Sequence, residues 1–446
     1  MNKDNNTAVQ SGSLNNRETW GSRIGYIFST LGMAVGVGAL WRFPMMTGQY
    51  GGGAFVIAVI IITVIIATPV GWAESALGRK YRESEFNILG KLAGKWGKGF
   101  GYFLSIIPIG LLAYYPIIIA VGAIYLGYTV TGAPYLEDVA GFYEQVNDNK
   151  VAQYIGVVII ILLTAVVSTR GIKKGVEKAC KVMLPLMLIL ICLVVVCVLT
   201  RPGISEGIKY YLVPNWEDFK SVDLWLAAAG MALFACGVGP GFLVTYGSYM
   251  DKDTDVAGDF LTVNLAQLAT CLICGLAFVP SAILFGLDLT AGKGVLYQTL
   301  PLVFEKLPGG MLWFGVFLVA LLFAGLSTTM GQMEIFVSNI IDALHISRTK
   351  AVTIVSVLAI LIAIPCVWND AFFSFTDNLI GNVMYCISAA VISVFLGWVI
   401  GAKKIREEWY NPTSRIKYGS WVDIIFKFIS VPAFIYFGIT AIMSLF

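Results

Sequence analysis

The 446-residue chain has few charged side chains and a single histidine, His345. Lys, Arg, Asp and Glu make up only 13% of the residues, whereas 58% are hydrophobic, and the mean hydropathy is +0.80. A soluble globular domain carries about twice this share of charge, so the composition indicates an integral membrane protein. The formal net charge of +3 is too small to suggest a nucleic-acid partner.

Several functional signatures are also missing. No GxxxxGK[ST] motif occurs, which excludes the usual ATP-driven pump and leaves an ion or solute gradient as the energy source. The first thirteen residues are polar and lack a signal-peptide pattern, so we expect an uncleaved N-terminus in the cytosol. None of the eight cysteines falls in a predicted external loop, which argues against disulfide bonds. No nucleophile, base and orienting group can be placed together, so we do not expect an enzyme.

The sequence does contain about eleven apolar stretches that are long enough to cross a bilayer core of about 30 Å as helices. Lys and Arg are concentrated in alternate connections, which predicts a multi-pass protein of the cell (inner) membrane with a cytosolic N-terminus and an external C-terminus. The lipid bilayer is therefore one expected partner. The predicted spans are 22–47, 52–77, 99–128, 151–168, 176–200, 222–250, 258–287, 310–343, 350–367, 372–400 and 421–445.

Two of these spans are interrupted by glycine. "LGMAVGVGALWRFP" (31–44) lies in span 1 and "ACGVGPGFLVTYGSY" (235–249) in span 6. An unpaired backbone group in hydrocarbon costs several kcal/mol, so an unwound segment persists only where protein or a polar cavity satisfies it. Freed carbonyls can bind a cation, and freed N–H groups can bind an anion. The alternative is that the glycines merely allow close helix packing.

The positions of the two interruptions suggest an internal repeat. Spans 1 and 6 begin two successive sets of five, and discontinuous helices at matching positions indicate a secondary transporter. The predicted fold is all-α, with an inverted five-plus-five repeat, broken helices 1 and 6, and an eleventh helix outside the repeat. The predicted segments are a cytosolic N-terminal segment (1–21), the first repeat (22–200), an external loop (201–221), the second repeat (222–400), and a cytosolic linker with helix 11 (401–446).

Specific motifs add a family resemblance. "RETWGSRIGYIFSTLGMAVGVGALWRFP", "GGGAF" and "GVGPGFLVTYGSY", together with "WAESALGR", "AYY", "FAGLSTTM" and "FTDNLIGN", resemble the signatures of the neurotransmitter:sodium symporter family. The likeness is greatest to its bacterial amino-acid transporters with eleven or twelve helices. It covers nearly the whole chain.

The resemblance implies one sodium site between helices 1 and 8, in which backbone and hydroxyl oxygens suit a hard cation. Its matching residues are Gly32, Val35, Ala324, Ser327 and Thr328. The family's second, substrate-linked sodium site is altered, because Ala39, Ala235 and Gln267 stand where oxygen ligands are usual. Met33, Val59 and Met231 likewise replace polar residues, the latter two at a chloride site of some relatives. We therefore expect one sodium ion and no chloride, although Gln267 could rebuild an altered second site.

The resemblance also implies a substrate site at the breaks. Gly36 stands where amine carriers place an aspartate, and Tyr115 matches a tyrosine whose hydroxyl binds a carboxylate, so a carboxylate-bearing solute is expected. The full set of implied substrate residues is Ala34, Gly36, Gly38, Tyr115, Phe234, Cys236, Gly237, Pro240 and Ser327.

Charged residues match the family's gates. Arg42 and Asp377, with Tyr115, are the expected external gate. The expected cytosolic gate comprises Arg17, Trp20, Tyr249 and Asp342, and Asp342 lies about 21 Å along helix 8 from Thr328 at helical rise. Two carboxylates fall inside spans and therefore need a role. Glu74 is expected to bond backbone near the breaks, and Glu334 is a possible proton site.

Together these features predict a sodium-coupled symporter of a small carboxylate-bearing solute, expected to be an amino acid, that works by alternating access. A proton-coupled or sodium-independent carrier of a non-standard amino acid or related zwitterion remains an alternative, as does a non-transporting sensor on the same fold. Both a monomer and a homodimer are compatible with the sequence.

Overall fold

A computed structural model describes residues 17–132, 137–287 and 295–443. The expectations for residues 1–16 of the N-terminal segment, for 133–136 and 288–294 in the external connections, and for the last three residues lie outside this range. Within it the regular structure is helical, and the only strand-like pairing is an isolated bridge between Gly52 and Pro214.

Eleven helical spans follow one another, as predicted, and we label them α1 to α11. Ten spans in the described part of the chain are long and apolar enough to cross a membrane, and α6 consists of two shorter pieces. Their bounds are α1 Arg23–Leu40 continued by Arg42–Gln49, α2 Gly53–Tyr81, α3 Glu85–Thr131, α4 Lys150–Thr169, α5 Ile172–Leu199, α6 Val222–Cys236 and Phe242–Ser248, α7 Val256–Phe285, α8 Gly310–Leu344, α9 Arg348–Trp368, α10 Asp370–Tyr410 and α11 Trp421–Met443. Shorter helices in the connections are Val139–Asp148, Ser205–Leu212, Trp216–Lys220 and Leu300–Glu305.

Polar helical segments adjoin two of the predicted spans. α3 begins at Glu85 and not near residue 99, because the polar, glycine-rich stretch before 99 is helical too and turns at Ala93 and Gly94, where Gly94 has φ 56°. α10 is interrupted at Gly401, where φ is 98° and ψ is 120°, next to the predicted end at 400, and a polar helical segment continues from Ala402 to Tyr410. In both places a polar sequence is helical, which hydropathy alone does not reveal.

Both predicted helix breaks are confirmed. α1 departs from helical geometry at Gly36, where φ is 39° and ψ is −169°. α6 is interrupted between Cys236 and Phe242, and Gly237, Gly239 and Gly241 in that segment all have positive φ. A residue with a side chain adopts such angles at a cost, so glycine is required where the helix must stop and restart.

The broken helices lie in the middle of the bundle. α8 packs along α3 and α1, and the second half of α6 packs against α2. From Ser29 to Leu40, α1 is buried at every residue. The same order, a broken helix followed by four longer ones, occurs in 23–199 and again in 222–410.

Candidate functional site

A small cavity of about 20 Å³ lies where the breaks of α1 and α6 face α3 and α8. Its volume is enough for a single water molecule, so the side chains around it are closely packed. The lining residues come from α1, α3, α6, α8 and α10, and they are Met33, Ala34, Gly36, Leu111, Tyr115, Phe234, Gly237, Phe242, Thr328, Gln332 and Tyr385.

Gly36 is held between two hydroxyl groups. A Cβ atom at this position would lie 2.6 Å from Thr328 Oγ1 and 2.7 Å from Tyr115 Oη, which is closer than real Cβ contacts. The Tyr115 hydroxyl accepts a hydrogen bond of 2.6 Å from the Val37 N–H, which the break has freed from the helix. A hydroxyl can donate its proton while its oxygen accepts, and the Tyr115 hydroxyl also contacts Thr328. The break therefore presents a hydroxyl donor to the cavity.

Most of the predicted substrate residues meet here, but not all of them do. Ala34, Gly36, Tyr115, Phe234 and Gly237 line the small cavity. Cys236, Pro240 and Ser327 do not line it, and Gly38 lines a second, larger cavity described below.

The surroundings of Cys236 and Pro240 explain why they do not line the small cavity. Cys236 is buried against Thr63 of α2, on the side of α6 away from the cavity. Pro240 is buried within the interrupted segment of α6. Cys236 does not line the small cavity in this structure, since adjacent residues of a helix point in directions about 100° apart, and its assignment to the substrate site stays a prediction.

Gln332 was missed by the sequence reasoning. It lies one helical turn after Thr328 on α8, lines the small cavity, and has a buried side-chain oxygen with no hydrogen-bond partner among the described residues. The i, i+4 spacing from Thr328 was a usable signal, because such residues share a helix face.

Oxygen atoms of α1 and α8 converge beside this cavity. Ser327 Oγ lies 2.8 Å from both the Gly32 and the Ala324 carbonyl oxygens. Thr328 Oγ1 lies 3.2 Å from the same two oxygens and 3.3 Å from the Met33 carbonyl oxygen. We call Gly32, Ala324, Ser327 and Thr328 the hydroxyl–carbonyl cluster.

The cluster is chemically suited to a hard monovalent cation. Ser327 is 0% exposed, and four neutral oxygens converge without a carboxylate, so a bound ion would keep its single charge. The break at Gly36 releases the carbonyl of Met33, the residue after Gly32, because the Val37 N–H that would bond it in a continuous helix bonds Tyr115 instead. Val35 is buried on the same turn of α1, and its part in ion binding stays a prediction.

The region of the second family sodium site is apolar. Ala39 and Ala235 are buried and offer no side-chain oxygen, and Met33 packs against Gly237 and Gly331. Gln267 is 1% exposed, donates to Cys271 Sγ at 3.0 Å, and has a side-chain oxygen with no partner in the described structure. Val59 and Met231, at the implied chloride position, are also buried.

The residues predicted to form the cytosolic gate are joined at one end of the bundle, which we call the Arg17 end. Arg17 makes an ion pair of 3.0 Å with Asp342 and also donates to Ser338 Oγ at 2.7 Å and Ser248 Oγ at 2.9 Å. Trp20 Nε1 donates to the Tyr246 carbonyl at 3.0 Å, and its ring packs edge-on against Tyr249. These contacts tie the start of the chain to α6 and α8. They lie in the wall of an open cavity of about 770 Å³ that shares no lining residue with the small central cavity, so the central cavity is closed toward the Arg17 end.

Glu334 has a partner that the sequence reasoning did not identify. Arg348, at the start of α9, forms an ion pair with the Glu334 carboxylate and contacts both of its oxygens. The Tyr249 hydroxyl donates to Glu334 Oε1 at 2.6 Å. A fully buried carboxylate with a cation and a hydroxyl donor has its charge compensated, and the role of Glu334 as a possible proton site stays a prediction.

The opposite end, which we call the Arg42 end, contains a cavity of about 320 Å³. Arg42 lies over the Phe234 ring at 5.2 Å and hydrogen-bonds Asn382. Asp377 instead contacts the Tyr114 hydroxyl. Among the described residues no ion pair joins Arg42 to Asp377, so the expected pair is not formed here, although both side chains line the cavity together with Tyr115.

Comparison with known proteins agrees with the family resemblance of the sequence motifs. The profile of the Sodium:neurotransmitter symporter family matches residues 17–137 and 135–445. An uncharacterized sodium-dependent transporter of Methanocaldococcus jannaschii is 32% identical over 435 residues, which are 91% of this chain and 86% of the relative. One of Bacillus subtilis is 30% identical over 407 residues, which are 88% of this chain and 90% of the relative.

A solved structure is also similar along nearly its whole length. The crystal structure of MhsT in complex with L-phenylalanine has a TM-score of 0.85 and 27% sequence identity, and the match covers 95% of this chain and all of that one. The likeness supports the fold expected from the sequence, an all-α membrane protein with two five-helix repeats and an eleventh helix. The chain therefore belongs to the sodium:neurotransmitter symporter family, in its bacterial branch, and is a multi-pass membrane transporter and not an enzyme.

Proposed function

We propose that this protein is a symporter that couples the entry of one sodium ion to the uptake of a small amino acid or closely related carboxylate-bearing solute. The observation that carries the proposal is the hydroxyl–carbonyl cluster. Its Ser327 and Thr328 hydroxyls on α8 reach the Gly32 and Met33 carbonyls, in the turn of α1 just before the break. A cation bound there would hold the two helices together, and its loss would free α1 to move relative to α8.

The substrate carboxylate is proposed to bind beside Gly36. Tyr115 can donate its hydroxyl proton, and Gly36 leaves room for the carboxylate because any side chain there would overlap Tyr115. The described pocket has no basic side chain in its wall, so the positive charge facing the carboxylate is proposed to come from the sodium ion nearby. The bound L-phenylalanine of MhsT supports an amino acid as the substrate class.

The substrate side chain is proposed to lie among Leu111, Phe242, Tyr385 and Gln332. Three of these side chains present mainly apolar surface, whereas Gln332 offers a hydrogen-bonding group whose oxygen is buried and unpaired. A site with an unsatisfied polar group favours a ligand that can satisfy it. We therefore expect a preference for substrates with a hydrogen-bond donor on the side chain.

One sodium ion per cycle is proposed, with no chloride. Ala39 and Ala235 have no side-chain oxygen for the substrate-linked ion, and Gln267 alone cannot replace them. A single sodium ion that enters down 100 mV releases about 2.3 kcal/mol, which corresponds to a concentration ratio of about 50-fold for the solute before the sodium gradient is counted.

Alternating access is proposed to use the two ends of the bundle. The Arg17 end, which we assign to the cytosol, is closed by its ion pair and hydrogen bonds. The Arg42 end, which we assign to the outside, has a cavity that reaches Tyr115 and Phe234, and these two residues also line the small central cavity. Substrate that enters from outside would then draw Arg42 and Asp377 together before the Arg17 end opens.

Uptake by purified protein in sealed vesicles tests the proposal. Vesicles in sodium chloride or choline chloride medium of equal ionic strength are supplied with each standard amino acid, and accumulation is measured. We expect accumulation of a small subset of amino acids in sodium only. Equal accumulation in choline would favour the sodium-independent or proton-coupled carrier, whereas binding without accumulation would favour a sensor.

A further inference from the structure

Two buried carboxylates that have no part in the proposed transport cycle lie beside the break in α6. Glu74, on α2, is 0% exposed, and Glu85, the first residue of α3, is 1% exposed. Glu74 accepts a hydrogen bond of 3.0 Å from the Gly239 N–H with one oxygen. Its other oxygen and both oxygens of Glu85 have no hydrogen-bond partner among the described residues. Three of the four carboxylate oxygens of the Glu74–Glu85 pair are therefore buried and unsatisfied.

Glu85 is packed directly against the interrupted segment. A Cβ atom built on Gly241 would overlap the Glu85 carboxylate, so the side chain lies on the Gly241 Cα. Gly241 has φ 85° and precedes the second half of α6. Gly239, which Glu74 holds, lies only two residues earlier. The pair thus contacts both sides of Pro240, in the segment where α6 must bend.

The charges around the pair offer no compensation. Glu74 is the neighbouring charge that acts on Glu85, and the two repel each other when both are ionised. Tyr385 faces Glu74 from α10 but carries no positive charge. The guanidinium groups of this part of the described structure bond elsewhere. Arg17 bonds Asp342, and Arg79 bonds the carbonyls of Thr254 and Trp409. Arg82, three residues before Glu85, donates to the Arg17 carbonyl, and its Nε is buried without a partner.

The other buried carboxylates of the chain differ in this respect. Asp259, Glu177 and Glu334 are as deeply buried, yet each has a basic partner. Those partners are Arg23, Lys181 and Arg348, respectively. Glu74 and Glu85 have no such partner in the described part of the chain.

A buried carboxylate anion without donors is too unfavourable to persist, and two adjacent anions are worse. Either a cation or a proton must neutralise the pair. A hydrated or partly hydrated metal ion needs space, but neither glutamate lines any of the cavities described here, and Glu85 is in contact with backbone. A proton needs no cavity. We propose that the Glu74–Glu85 pair is a proton-binding site and that Glu85 carries the proton in this conformation.

The site is connected to the Arg17 end of the bundle. The N–H of Ser84, the residue before Glu85, donates to Asp342 Oδ2 at 2.6 Å, and Asp342 also pairs with Arg17. When Arg17 and Asp342 separate, this bond to the start of α3 is exposed to water as well, and Glu85 gains access to solvent. Glu85 then releases its proton on the Arg17 side. The proton is bound while this end is closed and lost when it opens, so the transport cycle includes a protonation step that does not depend on the sodium site.

Infrared spectroscopy of the purified full-length protein tests this directly. Exposed carboxyl groups are ionised at neutral pH, so a carboxylic-acid C=O band that shifts in D₂O identifies a protonated buried group. We expect the wild-type protein to show this band at pH 7 and Glu85→Gln to lose the signal of one carboxylic acid. Glu144→Gln, at an exposed position of the helix Val139–Asp148, is the matched control and should keep the band.

Two further measurements keep the outcome decisive. If Glu85→Gln does not fold, the wild-type spectrum alone suffices, because the absence of a protonated carboxyl band at pH 7 overturns the proposal. Asp342→Asn, which weakens the Arg17 end, should move the loss of the band to lower pH. An unchanged band in folded Glu85→Gln, or an unchanged pH dependence in Asp342→Asn, would likewise contradict the proton site or its coupling. Neither readout involves sodium or substrate, so failure here is distinguishable from failure of the proposed symport.

Discussion

Removal of one hydroxyl from the hydroxyl–carbonyl cluster is the most direct perturbation of the proposed ion site. In the ion-free geometry Ser327 Oγ can donate to the Gly32 or the Ala324 carbonyl, so Ser327→Ala loses one neutral hydrogen bond, worth about 1 kcal/mol. With sodium bound, the same oxygen faces a charge, an interaction worth about 1.5–3 kcal/mol. The difference of about 0.5–2 kcal/mol predicts a sodium Kd about 2-fold to 30-fold higher.

The assay needs no knowledge of the substrate. A ligand that binds only the folded state stabilises it by an amount that grows with the logarithm of its concentration above Kd. Thermal unfolding is therefore measured across a sodium chloride series in which choline chloride keeps the ionic strength constant. We expect sodium to raise the wild-type unfolding temperature, and both Ser327→Ala and Thr328→Val to shift the response to higher sodium concentrations.

A neighbouring hydroxyl supplies the control. Thr329 follows Thr328 on α8, but its hydroxyl bonds Thr164 Oγ1 at 2.8 Å and the Leu326 carbonyl at 2.9 Å, away from the cluster. Thr329→Val should lower stability equally in sodium and choline and leave the sodium midpoint unchanged. If folded Ser327→Ala and Thr328→Val both keep the wild-type midpoint, the cluster does not bind sodium and the reasoning fails.

Three other substitutions test the remaining geometry. Gly36→Ala combines positive-φ strain with overlap of two hydroxyls, so it should lower the free energy of unfolding by at least about 1–3 kcal/mol. Gly99→Ala, at a helical position with open space around it, is the control and should not lower it. Equal unfolding temperatures of the two variants would contradict the break at Gly36. Gln332→Leu should weaken the binding of amino acids with donor side chains, measured as competitors of uptake, by about 1–3 kcal/mol, or 5-fold to 150-fold. Apolar competitors should bind as before. An equal loss for both kinds of competitor would exclude a role of Gln332 in selectivity. Arg348→Gln should destabilise the protein by about 3–5 kcal/mol because it leaves the buried Glu334 without its cation. Adding Glu334→Gln to the same chain should restore most of the lost stability. Unchanged stability of Arg348→Gln alone would mean that Glu334 holds a proton.

The features that the sequence predicted correctly are those that depend on residues close together in the chain. The eleven spans follow from hydropathy, since a helix must remain apolar over its length to cross hydrocarbon. The breaks at Gly36 and at 237–241 follow from glycine and proline, which determine the local backbone whatever packs around it. The helical segment that begins at Glu85 was missed because that stretch is polar and hydropathy marks only apolar helices.

Which side chains face one another across the bundle was beyond the reach of local pattern. Cys236 and Phe234 are two residues apart, yet only Phe234 lines the cavity, because the rotation of α6 about its axis is set by packing. The sequence by itself determined a membrane protein with two broken helices and two adjacent hydroxyl side chains, Ser327 and Thr328, on a third helix. Only the tertiary structure decided that Gln332 faces the small central cavity and that Glu74 and Glu85 lie beside the same break in α6, because burial and charge compensation depend on helices that are far apart in the chain.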